Sequence, residues 1–164
     1  MVGQGHQNGC ALHRCDADTV ASKPAFRDAF ARGQRCIVPV DAFYEWKKIG
    51  ASKQPYAISG ADGLPLALAG LWERWKNPAG GETVQTFTIV TTTPNELCGA
   101  IHDRMPVILP REKWTAWLGE RDTDELQWMI LRPCPAALMR AYPVGPRVGN
   151  VRNNDALLQE IKAA

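Results

Sequence analysis

Between residues 35 and 93 the chain is divided into short segments with a side-chain period of two. They are rich in β-branched and aromatic residues, and glycine, proline and aspartate separate them. This period is the spacing of side chains on one face of a β-strand, so each segment predicts a strand. Connections this short are typical of antiparallel neighbours. The segments are RCIVPV, AFYEWKK, QPYAIS, PLALAGLWERW and VQTFTIVTTT.

Helical patterns flank these strands. Residues 22–34, SKPAFRDAFARGQ, predict a helix with Ser22 as N-cap, Pro24 in the first turn and Gly33 at the C-terminal end. Further helical turns are predicted at PNELCGAI, REKWTAWLGE and TDELQWMIL, with a strand at PVIL and an extended RAYPVGPRV. The predicted fold class is α+β, with a mostly antiparallel β-sheet or barrel flanked by short helices.

The length of 164 residues suits one domain, and no repeat or linker divides it. Residues 1–18 are polar and Gly-rich, so we expect a poorly ordered or remnant segment followed by a single domain over 19–164. No apolar run is long enough to cross a bilayer, and the start lacks the features of a signal peptide. These features predict a cytoplasmic protein without membrane contact, and we expect a monomer.

The cysteine spacing and the net charge limit which metals, cofactors and macromolecules the chain is expected to bind. Five cysteines at irregular spacing argue against a disulfide framework. The spacing of His6, Cys10, His13 and Cys15 matches no usual zinc pattern, so we expect no metal and no cofactor. A net charge of +2 permits nucleic-acid binding without indicating a dedicated binder, so a nucleic acid would need a local basic patch.

Residues 100–109, AIHDRMPVIL, place His102, Asp103 and Arg104 directly before an apolar run. Histidine titrates near neutral pH and arginine binds phosphate, so this stretch is a candidate site. Thr91 ends the preceding strand, where its hydroxyl can donate to a phosphate oxygen. The alternative is an ordinary polar loop before a strand that begins near Pro106.

Glu45 lies between Tyr44 and Trp46 in a strand that looks half-buried. Alternation places it on the same face as Phe43. A carboxylate partly shielded from water keeps a proton more readily, as a general acid or base requires. The alternative is a solvated strand face with Glu45 near a lysine.

Taken in order, several segments resemble the SRAP family, the SOS-response-associated or abasic-site-processing proteins. The segments are RCIVPVDAFYEWKK, QPYAI, LALAGLWERW, TFTIVTTTPNELCGAIHDRMPVILP and YPVGPRVGNVRNND, and the matching order covers about residues 19–155. An F-Y-E-W strand followed by H-D-R-M-P-V-I-L is highly specific. The chain is identified as a member of this family on that basis.

The resemblance implies a DNA-repair protein of the SOS response that binds abasic sites in single-stranded DNA. In intact members, an N-terminal cysteine forms a thiazolidine crosslink with the opened sugar, with associated peptidase and lyase chemistry. Glu45 matches the active-site glutamate, and His102 matches the histidine that assists sugar opening. Arg104 matches an arginine on the DNA backbone, and Thr91 lies on the strand lining the same groove.

The chain departs from the family at its N-terminal end. Val2 stands where the family has its nucleophilic cysteine, and Arg14 and Asp16 stand where it has asparagine and arginine. The family also has several dozen further residues before the first helix. We therefore expect an N-terminally truncated or degenerate member, or a displaced start. A chain made as written is expected to form no stable crosslink, because Val2 has no thiol.

Two other functions stay open at this point. A degenerate member would be a non-catalytic module that binds single-stranded DNA. A cysteine hydrolase would pair Cys36 or Cys98 with His102, although no motif surrounds either cysteine and both look buried. Crosslinking to an abasic oligonucleotide tests the first alternative, and thiol alkylation with a hydrolysis assay tests the second.

Overall fold

The computed structural model describes residues 15–76, 80–119 and 130–161. Within these ranges the strands form two three-stranded antiparallel sheets and one two-stranded ladder. The first sheet has the order β1 (Arg35–Val40), β4 (Leu66–Lys76), β5 (Thr83–Ile89). The second has the order β2 (Phe43–Ile49), β3 (Ser52–Gly60), β8 (Met139–Pro143). The ladder pairs β6 (Thr91–Thr92) with β7 (Met105–Pro106).

The predicted α+β class is confirmed, but the strands of the described ranges do not close into a barrel. β1 pairs with β4 and not with β2, although only two residues separate β1 from β2. The chain therefore changes sheet between consecutive strands and builds two layers. The five strand segments predicted between residues 35 and 93 are all present, and VQTFTIVTTT is divided between β5 and β6 at Val90. Of the predicted PVIL strand, only Pro106 lies in a strand, and Ile108 forms an isolated bridge with Leu68.

The short helices are α1 (Arg27–Ala31), α2 (Glu96–Gly99) and α3 (Trp114–Leu118). The prediction that the first helix begins after Ser22 is wrong. Residues 19–26 form successive turns, and the helix starts only after Pro24, which has no N–H to donate. Gly33 follows the helix at φ +65°, as expected at its C-terminal end. The predicted TDELQWMIL helix falls mostly outside the described residues.

β4 lies between two apolar clusters and buries both faces over its first half. Ala67, Ala69 and Leu71 pack into a cluster with Trp117, while Leu66 and Leu68 pack into a cluster that includes Ile58, Met105 and Ile108. This burial explains why LALAGL reads as a continuous apolar run instead of alternating. The second cluster joins the two sheets and underlies the candidate site.

Residues 15–18 belong to the packed part of the chain. Cys15 and Ala17 are buried, and the Thr91 amide donates to the Cys15 carbonyl at 2.8 Å. Residues 1–14 lie outside the described ranges, and with them Val2, Arg14 and most of the predicted histidine and cysteine cluster. In the part of the chain that is described, no helix has the length and apolarity to span a bilayer.

Candidate functional site

The structure brings Glu45 and His102 together from distant parts of the sequence. Glu45 Oε2 lies 3.9 Å from His102 Nε2, and both side chains are partly exposed. Glu45 shares its strand face with Phe43, which packs on the second apolar cluster. The carboxylate therefore lies at the rim of the core, where solvent and a ligand can both reach it.

The backbone of His102 is held by the short helix before it. Asn95 caps α2, because its Oδ1 accepts from the Cys98 amide at 2.9 Å, and its Nδ2 donates to the Cys134 carbonyl at 2.7 Å. The His102 amide then donates to the Cys98 carbonyl at 2.8 Å. These bonds fix the backbone of His102 at the end of the short helix, and its Nε2 lies toward Glu45 of β2.

The two nitrogens of His102 have different partners. Nδ1 lies 3.2 Å from the Arg104 amide, which can only donate to it, and 3.1 Å from Asp103 Oδ1. In the neutral ring Nδ1 accepts from that fixed amide, so the proton lies on Nε2 and faces Glu45. In the charged ring Nδ1 carries a proton and can donate to Asp103 Oδ1, but it then loses the hydrogen bond from the Arg104 amide. Glu45 Oε2 and His102 Nε2 are 3.9 Å apart, which is beyond direct hydrogen-bond distance and leaves room for a bridging water or hydroxyl between them.

Arg104 and Thr91 lie together on the other side of His102. β6 and β7 pair Thr91 with Pro106, which brings the Thr91 hydroxyl near the residues before β7. Both side chains contact Asp16: the Thr91 hydroxyl donates to Oδ1 at 2.8 Å, and Arg104 Nη2 lies 3.4 Å from Oδ2. The proposed DNA ligands therefore share one acidic partner.

The sequence alone did not indicate this role of Asp16, nor the capping role of Asn95. Asp16 was noted only as a departure from the family pattern. Its contact with Thr91 joins residues 75 positions apart, and no local spacing encodes such a pair. Asn95 had a readable signal, because an asparagine directly before a short helical pattern is a preferred N-cap.

The cysteines proposed for a hydrolase are poorly suited to nucleophilic attack. Burial, with a smaller contribution from Glu45, raises the pKa of Cys98 from 9.0 to about 11. Burial also raises the pKa of Cys36. Because the thiolate is the nucleophile, a raised pKa removes the reactive form at neutral pH. This disfavours a cysteine hydrolase at either position.

We expect Cys98 and Cys15 to resist alkylation in the native protein. Burial raises the pKa of Cys15 to about 12, with a smaller contribution from Asp16. Iodoacetamide at pH 8 should modify both thiols at least ~100-fold more slowly in the folded protein than in guanidinium. Peptide mass spectrometry measures each site separately. Rapid native modification of Cys98 accompanied by loss of a hydrolytic activity would restore the hydrolase hypothesis.

The same pKa shifts predict a loss of stability in alkali. Well below pH 9 both thiols are protonated in the folded and in the unfolded chain, so they do not change the free energy of unfolding with pH. Above pH 9 the unfolded thiols ionise, while Cys15 in the folded chain stays protonated to about pH 12. The free energy of unfolding should therefore fall as the pH rises from 9 toward 12. Replacement of Cys15 by alanine should flatten that fall in urea titrations.

The fold and the site together define a class of protein. It is an α+β protein in which a carboxylate and an imidazole lie close together, and in which an arginine and a threonine next to them contact one aspartate. The family model for SRAP, the SOS response associated peptidases, matches residues 3–151. The chain belongs to this family.

Relatives from bacteria and vertebrates support the assignment. The chain is 42% identical over 154 residues to abasic site processing protein YoqW of Bacillus subtilis, covering 93% of this chain and 68% of that protein. It is 33% identical over 163 residues to abasic site processing protein HMCES of Xenopus tropicalis, covering 87% of this chain. The chain spans 48% of that vertebrate protein's length.

Solved structures have the same fold. A protein from Bacteroides thetaiotaomicron superimposes with a TM-score of 0.85 at 32% identity, over 92% of this chain and 66% of that one. A protein from Bordetella bronchiseptica gives 0.73 at 34% identity, over 80% and 64% of the two chains. These matches support the two-sheet arrangement described above.

Proposed function

We propose that this chain binds single-stranded DNA and processes abasic sites in it, with Glu45 and His102 moving protons at the sugar. The observation that carries the proposal is the 3.9 Å approach of Glu45 Oε2 to His102 Nε2. The relatives named as abasic site processing proteins support the same substrate class. Arg104 and Thr91 take the role of phosphate ligands beside this pair.

An abasic sugar needs the chemistry that a carboxylate and an imidazole supply. Opening the ring requires a proton to leave the hydroxyl at C1 and another to reach the ring oxygen. An amine of the protein, from a lysine or the chain terminus, then attacks the aldehyde, and proton transfers let the product lose water and become an imine. General acid–base groups typically accelerate such transfers by about 10²–10⁴-fold. Glu45 and His102 are close enough to exchange these protons with each other through a water or a sugar hydroxyl.

Single-stranded DNA suits this site better than a duplex does. A protein that acts on a nucleotide inside a duplex first unstacks and unpairs it, at a cost of a few kcal/mol. A single strand avoids that cost. The small net charge of +2 gives little electrostatic energy with which to distort a duplex. We therefore expect weaker binding to a duplex of the same sequence.

The decisive experiment uses an oligonucleotide with one abasic site. The protein is incubated with the strand, treated with borohydride to reduce any imine, and analysed on a denaturing gel. A reduced protein–DNA adduct, or cleavage of the strand at the abasic site, supports the proposal. Tight binding to the strand with neither product would favour the non-catalytic DNA-binding module instead.

Replacement of Arg104 by alanine should weaken binding of single-stranded DNA about threefold, whatever the base sequence, because phosphate contacts carry no sequence information. The log–log salt slope of the wild type should be about −1.5 to −3, and the variant's slope should be shallower. Fluorescence anisotropy measures both quantities. Arg27→Ala removes the same charge from an exposed site on α1 and is the control. Equal affinities for Arg104→Ala and wild type would contradict the role of Arg104.

A further inference from the structure

Three donors suited to a phosphate converge on the carboxylate of Asp16. The Thr91 hydroxyl donates to Oδ1 at 2.8 Å, and Lys23 Nζ and Arg104 Nη2 each lie 3.4 Å from Oδ2. A guanidinium, an ammonium and a hydroxyl are the groups that proteins use to bind phosphate oxygens. We propose that Asp16 occupies a backbone-phosphate subsite of this surface, where its carboxylate competes with DNA and sets the affinity.

The backbone around Asp16 is held firmly, so the carboxylate has a defined direction. Asp16 forms a parallel bridge with Thr91, and the Thr91 amide donates to the Cys15 carbonyl at 2.8 Å. The neighbours on both sides, Cys15 and Ala17, are buried. The Asp16 backbone is therefore fixed, and the side-chain contacts with Thr91, Lys23 and Arg104 set the direction of the carboxylate.

Asp16 does not use its carboxylate in the ordinary way for its position. It directly precedes a 3₁₀ turn at Ala17–Thr19, where an aspartate usually accepts from backbone amides of the turn. Here the side chain makes no such capping bond. Its oxygens contact Thr91, Lys23 and Arg104, which come from three other segments of the chain. The carboxylate therefore binds these side chains and not the amides of the turn.

Among the described residues, the charges around Asp16 pair with one another without DNA. Asp18 Oδ2 also lies 3.8 Å from Arg104 Nη1, so two carboxylates face the two cations Lys23 and Arg104. The Asp16 side chain is only 12% exposed, which limits screening of its charge by water and salt. A phosphate arriving here gains little attraction from cations that are neutralised, and the carboxylates repel it.

This inference rests on the proposed function, because it takes Arg104 as a phosphate ligand. It predicts that Arg104 contributes less to binding in the wild type than an unopposed arginine would. It also predicts that removing the charge of Asp16 restores the full contribution of Arg104 to DNA binding. Removing the charge of a distant carboxylate should not have this effect. The residue would then set the strength of binding without touching the reacting sugar.

The test compares Asp16→Asn with wild type in binding a fluorescent oligothymidine at low salt. Asparagine has the same size and keeps an oxygen that accepts from Thr91. We expect D16N to bind about 5–20-fold more tightly, with a log–log salt slope steeper by about 1. Asp28→Asn is the matched control, because Asp28 is exposed and pairs with Arg27. This control adds the same unit of charge and should change affinity less than about twofold.

A double-mutant cycle with Arg104→Gln separates the possible results. R104Q should lower the affinity for the oligothymidine about threefold in the wild-type background and about tenfold or more in the D16N background, because Asp16 acts through Arg104. The inference is overturned if D16N binds no more tightly than wild type, or if D28N gives the same gain. If R104Q leaves the affinity unchanged in both backgrounds, Arg104 does not contact DNA, and that part of the proposed function is wrong.

Folding of each variant is checked by circular dichroism melting. If D16N does not fold, Asp16→Ser replaces it, because serine also removes the charge and keeps a hydroxyl oxygen. The wild-type protein provides a further measurement that needs no change at Asp16. If R104Q alone lowers the affinity of the wild-type protein tenfold or more, Asp16 does not weaken the contribution of Arg104, and the inference is overturned. A loss of affinity of about threefold supports it.

Discussion

Replacement of Glu45 by glutamine, or of His102 by asparagine, should each lower the rate of borohydride-trapped adduct formation by about 10²-fold or more. Glutamine keeps the shape of glutamate, asparagine is a smaller polar replacement for histidine, and neither can exchange a proton. Under the proposed function, Glu45 Oε2 and His102 Nε2, 3.9 Å apart, serve one proton path through a bridging water or sugar hydroxyl. The double variant should therefore be little slower than either single variant.

Asp103→Asn is the matched control for this prediction. Asp103 also contacts His102, with Oδ1 3.1 Å from Nδ1, but its side chain is exposed and faces solvent. We expect its replacement to change the rate less than about threefold, because exposed ion pairs contribute little. Binding of an intact strand, measured by anisotropy, should be unchanged in all three single variants. A Glu45→Gln protein with the wild-type rate would exclude Glu45 from the proton transfers.

The strands were predictable because their signal is local. A period of two residues and short turns suffice to mark β1 to β4, and the structure has each of them within one or two residues of the sequence prediction. The first helix was less predictable, since turns around Pro24 compete with helix over the same residues. The barrel alternative failed because alternation says which residues share a face, but not which strands pair.

The candidate site was predictable only in part, and for a related reason. Glu45 and His102 each stood out by residue type and context, and the family resemblance joined them. Asp16 had no local pattern to distinguish it, since the groups that its carboxylate contacts come from three separate segments. Residue type and local context therefore identified Glu45 and His102, whereas a residue such as Asp16, defined by its contacts with distant segments, was not identifiable from the sequence.

Replacement of Trp117 by alanine should lower the free energy of unfolding by about 3–5 kcal/mol, which is the range for large-to-small changes in a core. Trp117 is fully buried in the first apolar cluster, and its Nε1 donates to the Cys36 carbonyl of β1 at 2.9 Å. The Arg35 guanidinium also lies over its ring, 5.4 Å from the centroid. Alanine would leave a cavity and an acceptor without its donor, and Arg35 would keep only one of its two aromatic contacts, that with Phe30 at 5.1 Å.

Trp114→Ala is the control, because it removes the same side chain from the same helix. Trp114 also donates from Nε1 to a carbonyl, that of Leu109 at 3.1 Å, but its side chain is partly exposed to solvent. Water can fill the space that it leaves, so the loss should be about 1–2 kcal/mol. Urea titrations followed by circular dichroism measure both losses. Equal losses for the two variants would mean that α3 does not anchor the sheet through Trp117. A much larger loss at Trp117 would show that β1 and α3 depend on this one side chain.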